Sequence, residues 1–254
     1  MLLRAASHAW RVPATGLAFA IFGLGGFLLA VTLFPVVAFF TRDRETRKRR
    51  TRAIIRRCFQ GFVLLMLYLG VIRVAILDRA ALAACRGKII ISNHPTLIDV
   101  VLLVSIIPNA QCVVKHQLWR NPFLGGVIRA AGYIRNDLEP ELLIAACDEA
   151  LKDGDNLVIF PEGTRSVPGR KLRFQRGFAN IALLTDADLQ LVKISCRPIM
   201  LTKGTPWYRV PVSPGRYRIS LEDQVAPGPF LRYGSRALAA RKLVSFLESR
   251  YVDQ

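Results

Sequence analysis

The chain has 254 residues, 52% of them hydrophobic, which is ample for a sizeable core and excludes a disordered chain. Its 36 Lys and Arg against 18 Asp and Glu give +18, so the main partner is anionic: nucleic acid, membrane lipid or a phosphorylated substrate. The five cysteines (Cys58, Cys85, Cys112, Cys147 and Cys196) are odd in number and lack the paired spacing of a disulfide framework or zinc site, so a reducing compartment and no metal are expected.

Residues 14–40 carry no charge over 27 positions, longer than the roughly 20 residues that cross a bilayer as a helix. A secretory signal has an apolar stretch of only about 7–15 residues. The run therefore reads as a membrane helix, and its glycines, Gly23, Gly25 and Gly26, as close helix-packing positions. The basic run from Thr41 to Arg57 follows directly, with nine Arg or Lys and two acids, the pattern of a loop held on the cytoplasmic side near anionic headgroups. A second apolar run, 62–77, is short for a span and carries Arg73, which suits an interfacial helix. Residues 14–77 thus read as a membrane-anchoring helical pair, whether crossing or dipping in from one side.

Beyond residue 80 short apolar runs alternate with helical patterns. Strands are expected at 88–92, 111–115, 156–160, 191–196 and 217–221. Helices are expected at 97–107, after Pro122, from Pro140 to a stop at Gly154, and at 235–250. The fold class is α/β, a mixed sheet flanked by helices and preceded by the N-terminal hydrophobic helical pair. Two domains are expected: 1–79, the membrane-anchoring helices with their basic loop, and 80–254, the α/β domain.

Two stretches carry chemistry. In NHPTLID, a strand ends at Asn93, Pro95 pre-sets a turn, and Asp99 falls in the first turn of the next helix. A His-X4-Asp pair so placed suits general-base catalysis, with Asp99 fixing the tautomer of His94. The same spacing also suits a capped histidine at a helix start with no chemistry. In FPEGTRS, a buried strand runs into Glu162, Gly163, Thr164 and Arg165 at its carboxyl end, where α/β sheets build sites. Gly163 permits a tight turn with exposed backbone N–H groups, and Arg165 offers a fork suited to phosphate. From Arg165 to Arg176 the chain holds five Arg or Lys and no acid.

Together, NHPTLID and FPEGTRS resemble motifs I and III of the glycerolipid acyltransferase family that includes lysophosphatidate acyltransferase. The resemblance covers roughly residues 86–202. It includes KHQLWRNPFLGG, which starts at Lys115, and CRPIM with Pro198. It implies O-acyl transfer from a thioester, on acyl carrier protein or coenzyme A as co-substrate and with no cofactor, to the free hydroxyl of a lysophospholipid such as 1-acyl-glycerol-3-phosphate, in phospholipid biosynthesis. His94 would be the base and Asp99 its partner, with no acyl-enzyme. Glu162, Gly163, Thr164, Arg165, Arg135 and Lys115 would hold the acceptor. The setting implied is the cytoplasmic side of a bacterial inner membrane, with anionic lipids as partners.

One departure stands out. The family places an Arg six residues after the Gly of motif II, whereas here that position is Leu138, and Arg135 lies three residues after Gly132. The run KLRFQRGFANIAL and LTKGTPWYRVP are similar to the branch associated with bacterial aryl-polyene pathways, which implies an unusual acyl donor or acceptor. A noncatalytic lipid-binding protein of the same fold stays open. A nucleic-acid binder is disfavoured, because the aromatics sit in apolar runs and do not interleave with Arg and Lys.

Overall fold

The computed structural model describes residues 2–251. An apolar rod opens the chain: α1 (Leu2–Leu28), a π-helical turn (Leu29–Leu33) and α2 (Phe34–Phe40) run without a break. Pro35 has no N–H to donate, and the widened turn before it absorbs the lost bond. The segment His8–Phe40 is long and apolar enough to cross a membrane by length and composition. Its Leu17, Leu24, Leu28 and Val36 are more than half exposed. The other face packs on α3 (Arg44–Tyr68), where Phe22 meets Phe59 and Phe62 at 5.6 and 4.9 Å between ring centroids.

Here the structure corrects two expectations. The basic run is no loop: Asp43 caps α3 through a 2.7 Å bond from the Thr46 N–H, and the arginines continue as helix. The second apolar run is not one helix either. Gly70 turns left-handed at φ 71°, α3 stops at Tyr68, and Ile72–Ile76 becomes strand β1, paired in parallel with β7. The alternating burial of β1 follows a period of two that hydropathy alone passes over. The sheet therefore takes an edge strand from before residue 80.

The remaining elements are α4 (Arg79–Ala84), β2 (Ile89–Ser92), α5 (Asp99–Ile106), β3 (Ala110–Val114), α6 (His116–Trp119), α7 (Gly125–Ala131), β4 (Ile134–Arg135), α8 (Pro140–Lys152), β5 (Asn156–Ile159), α9 (Gly177–Thr185), β6 (Leu189–Arg197), β7 (Gly215–Val225) and α10 (Arg236–Arg250). The seven strands lie in the order β1-β7-β6-β2-β5-β3-β4, parallel except for β6 against β7. The mixed sheet flanked by helices is as expected.

Both sheet faces are covered, which is why the central strands read as unbroken apolar runs. Ile89 and Ile91 point into a core shared with α8, α9 and α10, and Ile90 into one shared with α3, α5 and the apolar rod. All three are fully buried, each stabilising the fold by roughly 1.5–3 kcal/mol. With β2 pinned from both faces and on both edges, its carboxyl end is a rigid place to mount a side chain.

Candidate active site

β2 and β5 are parallel neighbours with Ile91 opposite Ile159, so the residues three beyond each, His94 and Glu162, emerge side by side. The two motifs clip together through backbone. The His94 N–H donates to Glu162 Oε1 at 3.0 Å, and the Ser166 N–H donates to the His94 carbonyl at 2.7 Å. The Ser166 hydroxyl donates to the same Glu162 oxygen at 2.8 Å. One residue earlier, the Asn93 side chain bonds the Ile194 carbonyl and N–H at 2.7 and 2.8 Å, tying the loop to β6.

The imidazole is fixed as firmly as its backbone. His94 Nδ1 lies 2.9 Å from Asp99 Oδ2, and the ring stacks on Phe160 with centroids 4.2 Å apart and planes at 28°. Asp99, the first residue of α5, is fully buried, and its Oδ2 also accepts the Thr96 N–H at 2.6 Å. The Thr96 hydroxyl donates to Oδ1 and accepts from the Tyr217 hydroxyl at 3.1 Å. Burial pushes the Asp99 carboxyl above the usual carboxylate range, opposed by the hydrogen bonds from His94 and Thr96. With Asp99 ionised, Nδ1 carries the proton and Nε2 is left as the acceptor of a proton from a hydroxyl. The His94 side chain keeps 15% exposure, enough for a substrate oxygen to reach it.

The other expected residues divide. Burial raises the Glu162 carboxyl too, against the bonds from Ser166 and His94. Its Oε1 holds the two motifs together, a positioning task, and Glu162 also lines the basic pocket beside Arg165. Gly163 adopts φ 66°, as a tight turn requires, but its N–H is not exposed: it closes the turn onto the Phe160 carbonyl at 3.0 Å. Arg165 directs Nη1 at the Leu201 and Thr202 carbonyls, both at 3.0 Å, leaving Nε and Nη2 of its fork. Thr164 and Arg165 line a pocket of about 510 Å³ with Arg170, Lys171 and Arg173, so the basic continuation of the motif surrounds one concavity.

Lys115 and Arg135 lie elsewhere on the same edge of the sheet. Lys115 is exposed just beyond β3, and Arg135 ends β4. Three strand spacings separate β4 from β2, roughly 14 Å. Arg135 makes a two-pronged pair with Asp137 at 2.9 and 2.6 Å and lies over the Trp119 ring. Sequence reasoning missed Asn93, Thr96, Ser166 and Tyr217. Three of these sit inside or beside the two motifs, where any polar residue was a candidate; Tyr217 comes from a distant strand, and nothing local announces it.

A protein-family comparison finds the Acyltransferase family over residues 73–202. A 1-acyl-sn-glycerol-3-phosphate acyltransferase of Helicobacter pylori is 32% identical over 148 residues, 49% of this chain and 62% of that protein. One from Cocos nucifera is 38% identical over 104 residues, 38% of this chain and 33% of that protein. The chain thus spans between about a third and three fifths of these relatives. Among solved structures, the 1-acyl-sn-glycerophosphate acyltransferase of Thermotoga maritima shares the fold, with a TM-score of 0.69 at 20% identity over 99% of this chain and 98% of that one. Since the family match spans half of the chain and contains both clipped motifs, the protein belongs to the Acyltransferase family.

Proposed function

We propose that the protein is a membrane-bound O-acyltransferase that moves an acyl chain from acyl carrier protein or coenzyme A to the free hydroxyl of a lysophospholipid such as 1-acyl-glycerol-3-phosphate. The observation that carries this reading is the His94–Asp99 pair at 2.9 Å, with its tautomer set by a buried carboxylate and its backbone clipped to the second motif. Nε2 of His94 takes the proton of the acceptor hydroxyl as that oxygen attacks the thioester carbonyl. The tetrahedral intermediate collapses, the C–S bond breaks, and the leaving thiolate takes the proton back from His94. The step consumes one thioester and yields one ester and one thiol, with no cofactor and no acyl-enzyme.

The free side of the Arg165 fork and the basic rim around it supply donors for the acceptor phosphate, with Glu162 and Thr164 in the wall and Gly163 setting the turn between them. Lys115 and Arg135 belong to the same reading as outlying cations. The apolar rod anchors the enzyme, and the basic start of α3 meets anionic headgroups on the cytoplasmic side of a bacterial inner membrane. A second reading, the same chemistry on an unusual acyl chain or acceptor such as aryl-polyene lipid assembly, is favoured by the commitment of Arg135 to Asp137 and by Leu138 in the family's arginine position.

The test offers detergent-solubilised protein lysophosphatidate with palmitoyl-coenzyme A or palmitoyl-acyl carrier protein and follows diacyl product by mass. Formation of phosphatidate supports the first reading and names the donor. Folded protein that transfers to neither but accepts a polyene thioester supports the second.

A further inference from the structure

A cleft of about 760 Å³ opens between the end of the apolar rod, the first turns of α3, and α7, β4 and α8. One end of it reaches Arg135, an outlying cation of the proposed acceptor site, and the other lies away from the site at His94. Its floor is Asp155, which immediately precedes β5, whereas Glu162 follows that strand, so the two lie at opposite ends of it, roughly 20 Å apart. Asp155 is 2% exposed and pairs through Oδ2 with the buried Arg52, yet its Oδ1 has no hydrogen-bond partner among the described residues. The Trp119 Nε1, buried in the wall of the same cleft, also has none. A buried carboxylate oxygen needs a donor and a buried indole N–H needs an acceptor, so each left unpaired is destabilising. At the mouth, the Arg44 and Arg47 side chains make no hydrogen bond or ion pair with described residues, while Phe34, Pro35 and Ala38 of the rod give the cleft one apolar wall.

We propose that this cleft binds the headgroup of an anionic glycerophospholipid. The phosphate takes the Trp119 N–H and the Arg44 and Arg47 guanidiniums, and a headgroup hydroxyl donates to Asp155 Oδ1. The acyl chains leave along the rod, whose Val36 and Phe39 are 51% and 81% exposed. The apolar wall of Phe34, Pro35 and Ala38, on the same short helix as those exposed residues, is the reason for a lipid over a free phosphate. Because the π-helical turn, α2 and α3 form one side of the cleft and the α/β domain the other, an occupied cleft ties the anchor to the catalytic domain.

The test is thermal unfolding of the full chain in dodecylmaltoside micelles as phosphatidylglycerol is titrated in, with no acyl donor present. A saturable rise in the midpoint is expected, and a much smaller one with phosphatidylcholine. Arg44→Ala/Arg47→Ala raises the half-saturating lipid concentration about tenfold or more, and Trp119→Phe, which keeps an aromatic ring but no N–H donor, about threefold. Arg165→Ala and the exposed pair Arg42→Ala/Arg57→Ala leave it unchanged. The proposal is overturned by the absence of a saturable shift, by equal weakening in Arg42→Ala/Arg57→Ala, which would mean diffuse attraction to the basic helix, or by dependence on Arg165. An equal shift from sn-glycerol 3-phosphate or inorganic phosphate alone would also overturn it, making the site one for soluble anions.

Discussion

His94 shows how much protein is needed to hold one base. Its ring is fixed by Asp99 and Phe160, and its backbone by Glu162 and Ser166. Asp99→Asn keeps the shape but no longer enforces the Nδ1–H tautomer, so kcat for acyl transfer falls by about 10²- to 10⁴-fold with KM for the acceptor little changed; steady-state kinetics check this. Glu162 gives a prediction in pH. Burial raises its carboxyl, so the folded protein holds that proton more tightly than the unfolded chain. Its contribution favours folding fully below the unfolded value of about 4.3 and is lost as pH rises through the higher folded value. Glu162→Gln removes that loss while keeping an acceptor for His94 and Ser166. Its melting temperature relative to wild type should therefore be higher at pH 7 than at pH 4; a difference that is flat or reversed would show that the carboxylate charge itself is needed.

Among the elements, the join between α3 and β1 best separates what is legible in sequence from what is not. Strands β2 and β5 announce themselves as apolar runs because both sheet faces are buried there, β3 and β6 as largely apolar runs, β7 by an alternation with one face exposed, and α8 by Pro140 and Gly154. The run 62–77 has the same composition on both sides of Gly70, so hydropathy sees one helix. Only the left-handed glycine and the pairing with β7, nearly 150 residues away, make its end a strand. Long-range pairing likewise creates the two-residue β4, which has no pattern of its own. Within the site, His94, Asp99 and Arg165 were readable from residue chemistry, whereas Tyr217 acts through Thr96 from another strand. Gly70→Ala tests the join. Nothing lies within 4 Å of the added Cβ, so the change is one of backbone strain and should destabilise by about 1 kcal/mol in chemical denaturation.

At the scale of the whole molecule, an apolar rod and a +18 surface sit on one chain with a catalytic-type pair. Leu24 and Leu28 lie on the exposed face of the rod, at 57% and 56% exposure, so their replacement disturbs no core. Leu24→Lys/Leu28→Lys should leave the fold intact by circular dichroism yet weaken partition into phosphatidylglycerol-containing vesicles by at least tenfold, since each lysine opposes insertion by up to about 3 kcal/mol. Unchanged partition would mean that the rod does not enter the bilayer.

The most direct test of the central claim compares wild type and His94→Ala, both shown to be folded, for acyl transfer from palmitoyl-coenzyme A or palmitoyl-acyl carrier protein to lysophosphatidate. Transfer by wild type with a loss of at least 10²-fold in the variant is the predicted result. Equal transfer by the two proteins would contradict the assignment of His94 as the base.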